Sequence, residues 1–290
     1  MNQTELSRIA IITDTNSGIT QAEAAQLGIF LLPMPFFIQD ELFLEGKTLS
    51  QEAFYEAQDA GKAVSTSQPS PADLTELWEH ALSSHDTIVY IPMSSGLSGS
   101  CATAQMLAKD YEEKVFVVDN KRISATQRQS VLDALTLRDA GYTAEQIKNR
   151  LEETALDANI YLTVETLSYL KKGGRITPAA AALGSALNIL PVLQIKGESL
   201  DAFRKVRGQK KAYHTMLEAI RSDLAEEFQE EDVLIQTAYS GSPEKGAIWN
   251  QIVQDAFPEK HVENFVLPLS IACHTGPGTV GVTCMKPVKP

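Results

Sequence analysis

Four serines crowd into Ser94-Ser95-Gly96-Leu97-Ser98-Gly99-Ser100, directly after an apolar run and directly before a helical pattern. A strand-to-helix junction of this kind exposes unpaired helix-start N–H groups beside hydroxyls, which suits a carboxylate or a phosphate. The structural alternative is a Ser/Gly turn that only caps its helix. A second hydroxyl cluster, Thr66-Ser67-Gln68-Pro69-Ser70, precedes another helix start, where Ser70 can cap, Pro71 suits the first turn and Asp73 complements the dipole. A third junction, Thr13-Asp14-Thr15-Asn16-Ser17, follows the first apolar run, and there Asp14 is expected to orient turn amides rather than to accept protons. Junctions of one parallel sheet share an edge, so these clusters are expected to converge on a single anionic head group.

The same serines also permit a nucleophile elbow. Gly96-Leu97-Ser98 followed by a helix, with His274 late in the chain, keeps the Ser-before-His order of α/β-hydrolases, although Ser100 stands where that motif has glycine. Asp232 or Asp255 would have to supply the acid, and nothing in the sequence selects one. A serine hydrolase acting on a lipid or ester through Ser98 and His274 is therefore the alternative reading. Gly276-Pro277-Gly278-Thr279-Val280-Gly281 matches a dinucleotide fingerprint, but no βαβ unit follows it, so a tight turn into a last strand is expected, with His274 in a Gly-rich loop at its entrance. His80, His85, His214 and His261 lack metal-ligand spacing and are expected at surfaces. Cys101, Cys273 and Cys284 are too scattered for a disulfide framework or a zinc cage. There is no Walker motif.

The elements that must position these groups read as α/β. Strands are expected over 9–13, 29–34, 87–93 and 115–119, alternating with helices over 21–27, 50–61, 73–83, 101–111 and 124–141. That pattern gives an N-terminal domain, 1–155, with a mainly parallel sheet flanked by helices. Thr143-Ala144-Glu145-Gln146 is a capping box for a helix through 154. Beyond it a C-terminal α/β domain with a mixed sheet is expected over 156–290. Its strands fall at 160–164, 192–195, 233–239, 262–268 and 280–285, with helices over 178–190, 209–231 and 243–256. Apolar residues at 43% and charged residues at 21% are globular values. The 25 Lys and Arg against 37 Asp and Glu leave −12, which argues against a nucleic-acid surface. No run of 18 apolar residues exists, so no stable membrane insertion and a cytoplasmic location are expected. Eight of the 25 basic residues fall in 171–175 and 204–211, a local positive patch suited to an anionic partner or to solvated helix ends. The acidic stretch 226–232 is expected to be a solvated face.

Six stretches occur in an order and at a spread that resemble the DegV family of fatty-acid-binding proteins, the lipid-carrying subunit of bacterial fatty acid kinase. They are Ile11-Ile12-Thr13-Asp14, Thr66-Ser67-Gln68-Pro69-Ser70, Ser94-Ser95-Gly96-Leu97-Ser98-Gly99, Tyr169-Leu170-Lys171-Lys172-Gly173-Gly174-Arg175-Ile176, Phe203-Arg204-Lys205-Val206-Arg207-Gly208 and His274-Thr275-Gly276-Pro277-Gly278. The first loop departs from the family's pattern at Asn16-Ser17-Gly18. The resemblance implies a two-domain α/β fold, no cofactor, and one long-chain, palmitate-like fatty acid in a tunnel with its carboxylate between the domains. It implies that Thr66 and Ser98 bind the carboxylate with His274 near it, that Ser67 and Ser95 support them, and that Arg175 and Arg204 lie near the head group or the kinase-facing surface. It further implies a binding subunit rather than an enzyme, without a nucleotide site of its own, which presents the carboxylate to an ATP-dependent kinase. Burial of about 14 methylenes at ~0.8 kcal/mol each is on the order of 11 kcal/mol gross, so the head group orients more than it holds. Candidate tunnel walls are 179–193 and 30–38.

Overall fold

A computed structural model describes residues 8–181, 189–197, 199–229 and 232–290. Its first half runs β1 (Ile9–Asp14), α1 (Gln21–Leu27), β2 (Phe30–Leu32), β3 (Pro35–Ile38), β4 (Glu41–Leu44), α2 (Gln51–Asp59), β5 (Val64–Thr66), α3 (Pro71–Leu82), β6 (Thr87–Ile91), α4 (Ser100–Ala108), β7 (Val115–Val117), α5 (Ala125–Asp139) and α6 (Ala144–Glu153). Strands β2-β1-β6-β7 form a parallel sheet. Every residue of β1 is buried because both faces are covered. Ile9, Ile11, Val89 and Ile91 pack on Val131, Ala134 and Ile147 of α5 and α6. The alternate residues Ala10, Ile12, Ile88 and Tyr90 pack on Leu74, Trp78 and Ala104 of α3 and α4. The caps at Ser70 and Thr143 form as their sequences require, the second as a full capping box.

This half departs from the sequence expectation at its third to fifth strands. The run 29–34 is not one strand: β2 ends at Leu32, and the chain then turns into a separate antiparallel sheet of order β4-β3-β5. Gln39, at φ 57, makes the reversal between β3 and β4.

The second half runs β8 (Ala158–Thr163), α7 (Ser168–Gly173), α8 (Pro178–Ala181), β9 (Ile189–Ile195), β10 (Leu200–Arg207), α9 (Gln209–Asp223), β11 (Leu234–Tyr239), α10 (Pro243–Ala256), β12 (Val262–Val266), α11 (Leu269–Thr275) and β13 (Val280–Met285). Its sheet has the order β10-β9-β8-β13-β11-β12 and is mixed: β11 and β12 are parallel, the other neighbours antiparallel. One face carries Tyr161, Ile235, Val282 and Cys284 into a core with Met216, Ile220 and Trp249 of α9 and α10. The other face looks toward the first half of the chain.

Four expectations need correction here. Residues 200–207 form an edge strand, so the basic run at 204–207 lies on a strand and not at a helix end. The helix from Gln209 stays α-helical to Asp223 and continues as a π turn over Leu224–Phe228. The helix expected over 178–190 is seen only as Pro178–Ala181; Leu190 belongs to β9, and 182–188 lie outside the described residues. Finally, 269–275 is helical, which moves His274 from a loop onto the last turn of α11. That helix is anchored away from its own sheet, with Leu269, Ala272 and Cys273 packed into a core with Met34, Phe36 and Phe54.

Candidate functional site

Between the inner face of the mixed sheet and the first half of the chain lies a cavity of about 1050 Å³, open mouth included. Its walls are mainly apolar: Leu97, Ile160, Leu162, Leu170, Ile195 and Leu200 line one side. Met34 is the contribution of the stretch 30–38, whose Phe36 and Ile38 are instead ordinary core. The described residues of 179–193 do not line the cavity; Ala180 and Leu193 pack into the core behind its wall.

Hydroxyl and imidazole groups gather on the same cavity. Thr66 ends β5, Ser67 and Gln68 follow it, Ser98 precedes α4, and His274 and Thr275 sit on α11; all line the cavity. The two hydroxyl clusters thus meet, but not along one sheet edge: Thr66 arrives from the antiparallel sheet, where it pairs with Phe36. Thr66 Oγ1 and His274 Nε2 share a 2.9 Å hydrogen bond whose direction follows the imidazole tautomer. Ser98 Oγ accepts from the Ser100 N–H at 3.2 Å in the turn that leads into α4, which leaves its own O–H free to donate. Thr275 Oγ1 is buried with no hydrogen-bond partner among the described residues, a donor that sequence reasoning missed. Arg175 lines the mouth, with its guanidinium on the Gly173 carbonyl.

His274 is held neutral. Burial, helped by the nearby Arg175 charge, pushes its pKa down to about 4, so near neutral pH the ring offers one donor and one acceptor. Its position depends on Gly173, which ends α7: a Cβ added there would stand 2.1 Å from His274 Nδ1. Gly276 has the same kind of restriction, with φ +80 and the Tyr169 ring 2.4 Å from where a Cβ would be.

Ser95 and Arg204 are placed differently. Ser95 lies in an adjoining polar depression with Ser98 and Arg175, where Lys121 Nζ donates to its Oγ at 2.6 Å and its N–H donates to Asp119 at 3.2 Å. It therefore fixes the serine loop. Arg204 does not reach the cavity: it stands opposite Val192, whose side chain packs into the core on the other face of the sheet, and its guanidinium lies over Phe203. The basic residues of 171–175 and 204–211 are all exposed.

The first loop is a support for this arrangement. Asp14 is fully buried and accepts from the Asn16 and Met93 N–H groups and from Gln127 Nε2, as an orienter of turn amides should. Burial raises its pKa. Glu45 joins three segments, accepting from Thr15 Oγ1 at 2.7 Å and from the Leu269 N–H at the start of α11. Burial, with a contribution from Asp14, lifts its pKa to about 7. Glu45 was not legible in the sequence, because its partners are contributed by distant segments.

Among the described residues, Ser98, His274 and the two candidate acids are not brought together as a hydrolase triad. His274 Nε2 is engaged by Thr66 rather than Ser98, and Nδ1 lies against Gly173 where a triad needs a carboxylate. Asp232 is exposed and paired with Lys289, and Asp255 is exposed and accepts from Gln251. The three cysteines are buried and free. Of the remaining histidines, His80, His214 and His261 are exposed, and His85 is half-buried against Phe30. Among the described residues no helix is long and apolar enough to cross a membrane, and no His/Cys/Asp/Glu group could hold a metal.

Comparison with known proteins agrees with the resemblance read from the motifs. The family model for DegV proteins, described as uncharacterised, matches residues 8–286. A DegV domain-containing protein of Deinococcus radiodurans is 34% identical over 275 residues, which is 94% of this chain and 97% of that one. A Thermus thermophilus structure, described as fatty acid binding of a DegV family protein, superposes with a TM-score of 0.86 at 30% identity, covering 96% of this chain and 99% of its own. The crystal structure of DegV from Bacillus subtilis, described as a fatty acid binding protein, gives 0.85 at 26% identity, with 97% and 100% covered.

Proposed function

The chain belongs to the DegV family, and from that premise we propose that its cavity binds one long-chain, palmitate-like fatty acid. The observation that carries the reading is a largely apolar cavity with a cluster of hydroxyls around a neutral imidazole. The fatty acid binding described for the Thermus thermophilus and Bacillus subtilis relatives supports it. In this reading the acyl chain lies along the inner sheet face, and its burial supplies most of the affinity. The carboxylate is oriented by Thr66, Ser98 and His274, with Thr275 as a further donor and Ser67 and Ser95 in support. Arg175 at the mouth adds the nearest guanidinium.

Neutral donors suit this task. They hold the carboxylate without neutralising it, so one oxygen keeps its nucleophilicity. We extend the proposal to a carrier role, in which a partner fatty acid kinase supplies ATP. The bound carboxylate oxygen attacks the γ-phosphorus, and acyl phosphate and ADP result. Arg204 and the other exposed basic residues are then available to the kinase-facing surface.

Titration of the delipidated protein with radiolabelled palmitate tests the binding step. Saturable binding near one equivalent, weakened by Ser98→Ala and by Thr66→Val, is expected; unsaturable or absent binding overturns it. Adding a bacterial fatty acid kinase and ATP tests the carrier step, with hydroxylamine trapping of the acyl phosphate as readout.

A further inference from the structure

Across the mixed sheet, Ile195, Ile160, Thr283 and Gln236 stand in one row, and all four line the cavity. The row is apolar at one end and polar at the other. Gln236 is 3% exposed and Thr283 5%, yet Gln236 Oε1 and Thr283 Oγ1 have no hydrogen-bond partner among the described residues. The Gln236 amide is oriented by its Nε2, which donates to Glu263 Oε2 at 3.0 Å. The oxygen left inside is therefore a pure acceptor, while Thr283 can donate or accept. As directly opposed residues on neighbouring strands, their Cβ atoms stand ~4.5–5.5 Å apart, a spacing that a single hydroxyl can bridge.

The pair lies toward the tail end of the cavity. Thr279, just before β13, donates to the Thr275 carbonyl beside His274, and Thr283 lies four residues further on, about 14 Å at ~3.4 Å per residue. One leaflet of a bilayer holds acyl chains about 15 Å long, half of its ~30 Å hydrocarbon core. A purely apolar tail would leave both polar atoms unpaired in a dry site, which is the costly arrangement.

We infer that Gln236 and Thr283 form a second recognition point for a hydroxyl in the outer half of the acyl chain, so that the ligand class is an oxygenated long-chain fatty acid. The inference rests on the lipid-binding reading above and narrows it. A ligand hydroxyl would donate to Gln236 Oε1 and accept from Thr283. Sites built to bond a hydroxyl discriminate against the analogue that lacks it more sharply than apolar pockets discriminate by size.

The test is competitive binding of stearic acid against hydroxystearic acids carrying the hydroxyl near the carboxylate or in the outer half of the chain. The wild-type protein is expected to prefer the outer-hydroxyl acid over stearic acid by about tenfold, the effect of one to two hydrogen bonds. Thr283→Val, close to isosteric, and Gln236→Leu are expected to reverse that order in favour of stearic acid. Equal affinity for stearic and outer-hydroxyl acids in the wild-type protein, whether or not the variants fold, overturns this inference and leaves the lipid-binding reading intact. Failure to bind any of the acids overturns both.

Discussion

Gly173 ends α7 against the His274 ring, and the Cβ of an alanine there would stand 2.1 Å from Nδ1 and 2.9 Å from Cε1. Ordinary contact begins at 3.4 Å, so the ring must move by about 1.3 Å, the difference of the two distances. The backbone at Gly173 is not left-handed, so alanine is unstrained there, and helix propensity favours it by up to ~1 kcal/mol. A ring displaced that far loses its 2.9 Å hydrogen bond to Thr66 and its alignment on the ligand carboxylate. A hydrogen bond to a charged group contributes about 1.5–3 kcal/mol, so Gly173→Ala is expected to weaken fatty acid binding by roughly ten- to a hundredfold, with a stability cost of about 1–3 kcal/mol for the crowded ring. Gly174 is the control. It has φ +66 and nothing within 4 Å of a new Cβ, so Gly174→Ala should cost about 1–2 kcal/mol of stability and little affinity. Isothermal titration beside thermal unfolding of both variants separates the two effects. Gly173→Ala binding within twofold of wild type would refute the role given to His274.

Three further outcomes follow from the same geometry. The His274 ring is expected to titrate in an NMR pH series with a midpoint near 4; a midpoint near 6.5 would show that it is not buried as described. Because that value is depressed, the contribution of a neutral His274 to stability is complete above pH 6.5 and is lost as pH falls toward 4. Glu45 acts in the opposite sense: its pKa is raised from 4.5 to about 7, so stability falls as pH rises through that interval, by on the order of 3 kcal/mol. Denaturant unfolding of Glu45→Gln should therefore show a gain over wild type at pH 8 that vanishes at pH 4; no gain at pH 8 would contradict it. Ser98→Ala removes the acceptor for the Ser100 N–H, so a loss of about 1 kcal/mol in stability and about tenfold in fatty acid affinity is expected, checked by chemical unfolding and by titration.

The elements with strong local signals are legible in the sequence itself. Strands β1 and β6 carry apolar residues on both faces because helices cover both, and Ser70 and Thr143 announce their helices by capping chemistry. The serine loop, Thr66 and His274 were legible as a set, and they meet on one cavity. The antiparallel sheet was not, because its strands are three or four residues long, too short for a periodic pattern to form. Helix α11 was hidden by its flanks: seven residues between Pro268 and Gly276 resemble a loop, and its apolar side is explained only by the distant Phe36 and Phe54. Glu45 and Gln236 carry no local signal at all, and Gly173, although part of a matching motif, carries none for its packing against His274. Their roles depend on partners at positions 269, 263 and 274, which only the folded chain brings near.

The central claim, that this cavity is a lipid site, is tested most directly by extracting the purified protein with organic solvent under denaturing conditions and quantifying the extract by mass spectrometry. The account predicts close to one fatty acid per chain, or uptake of one equivalent when the protein is incubated with fatty acid before extraction. An extract free of fatty acid in both cases would contradict it.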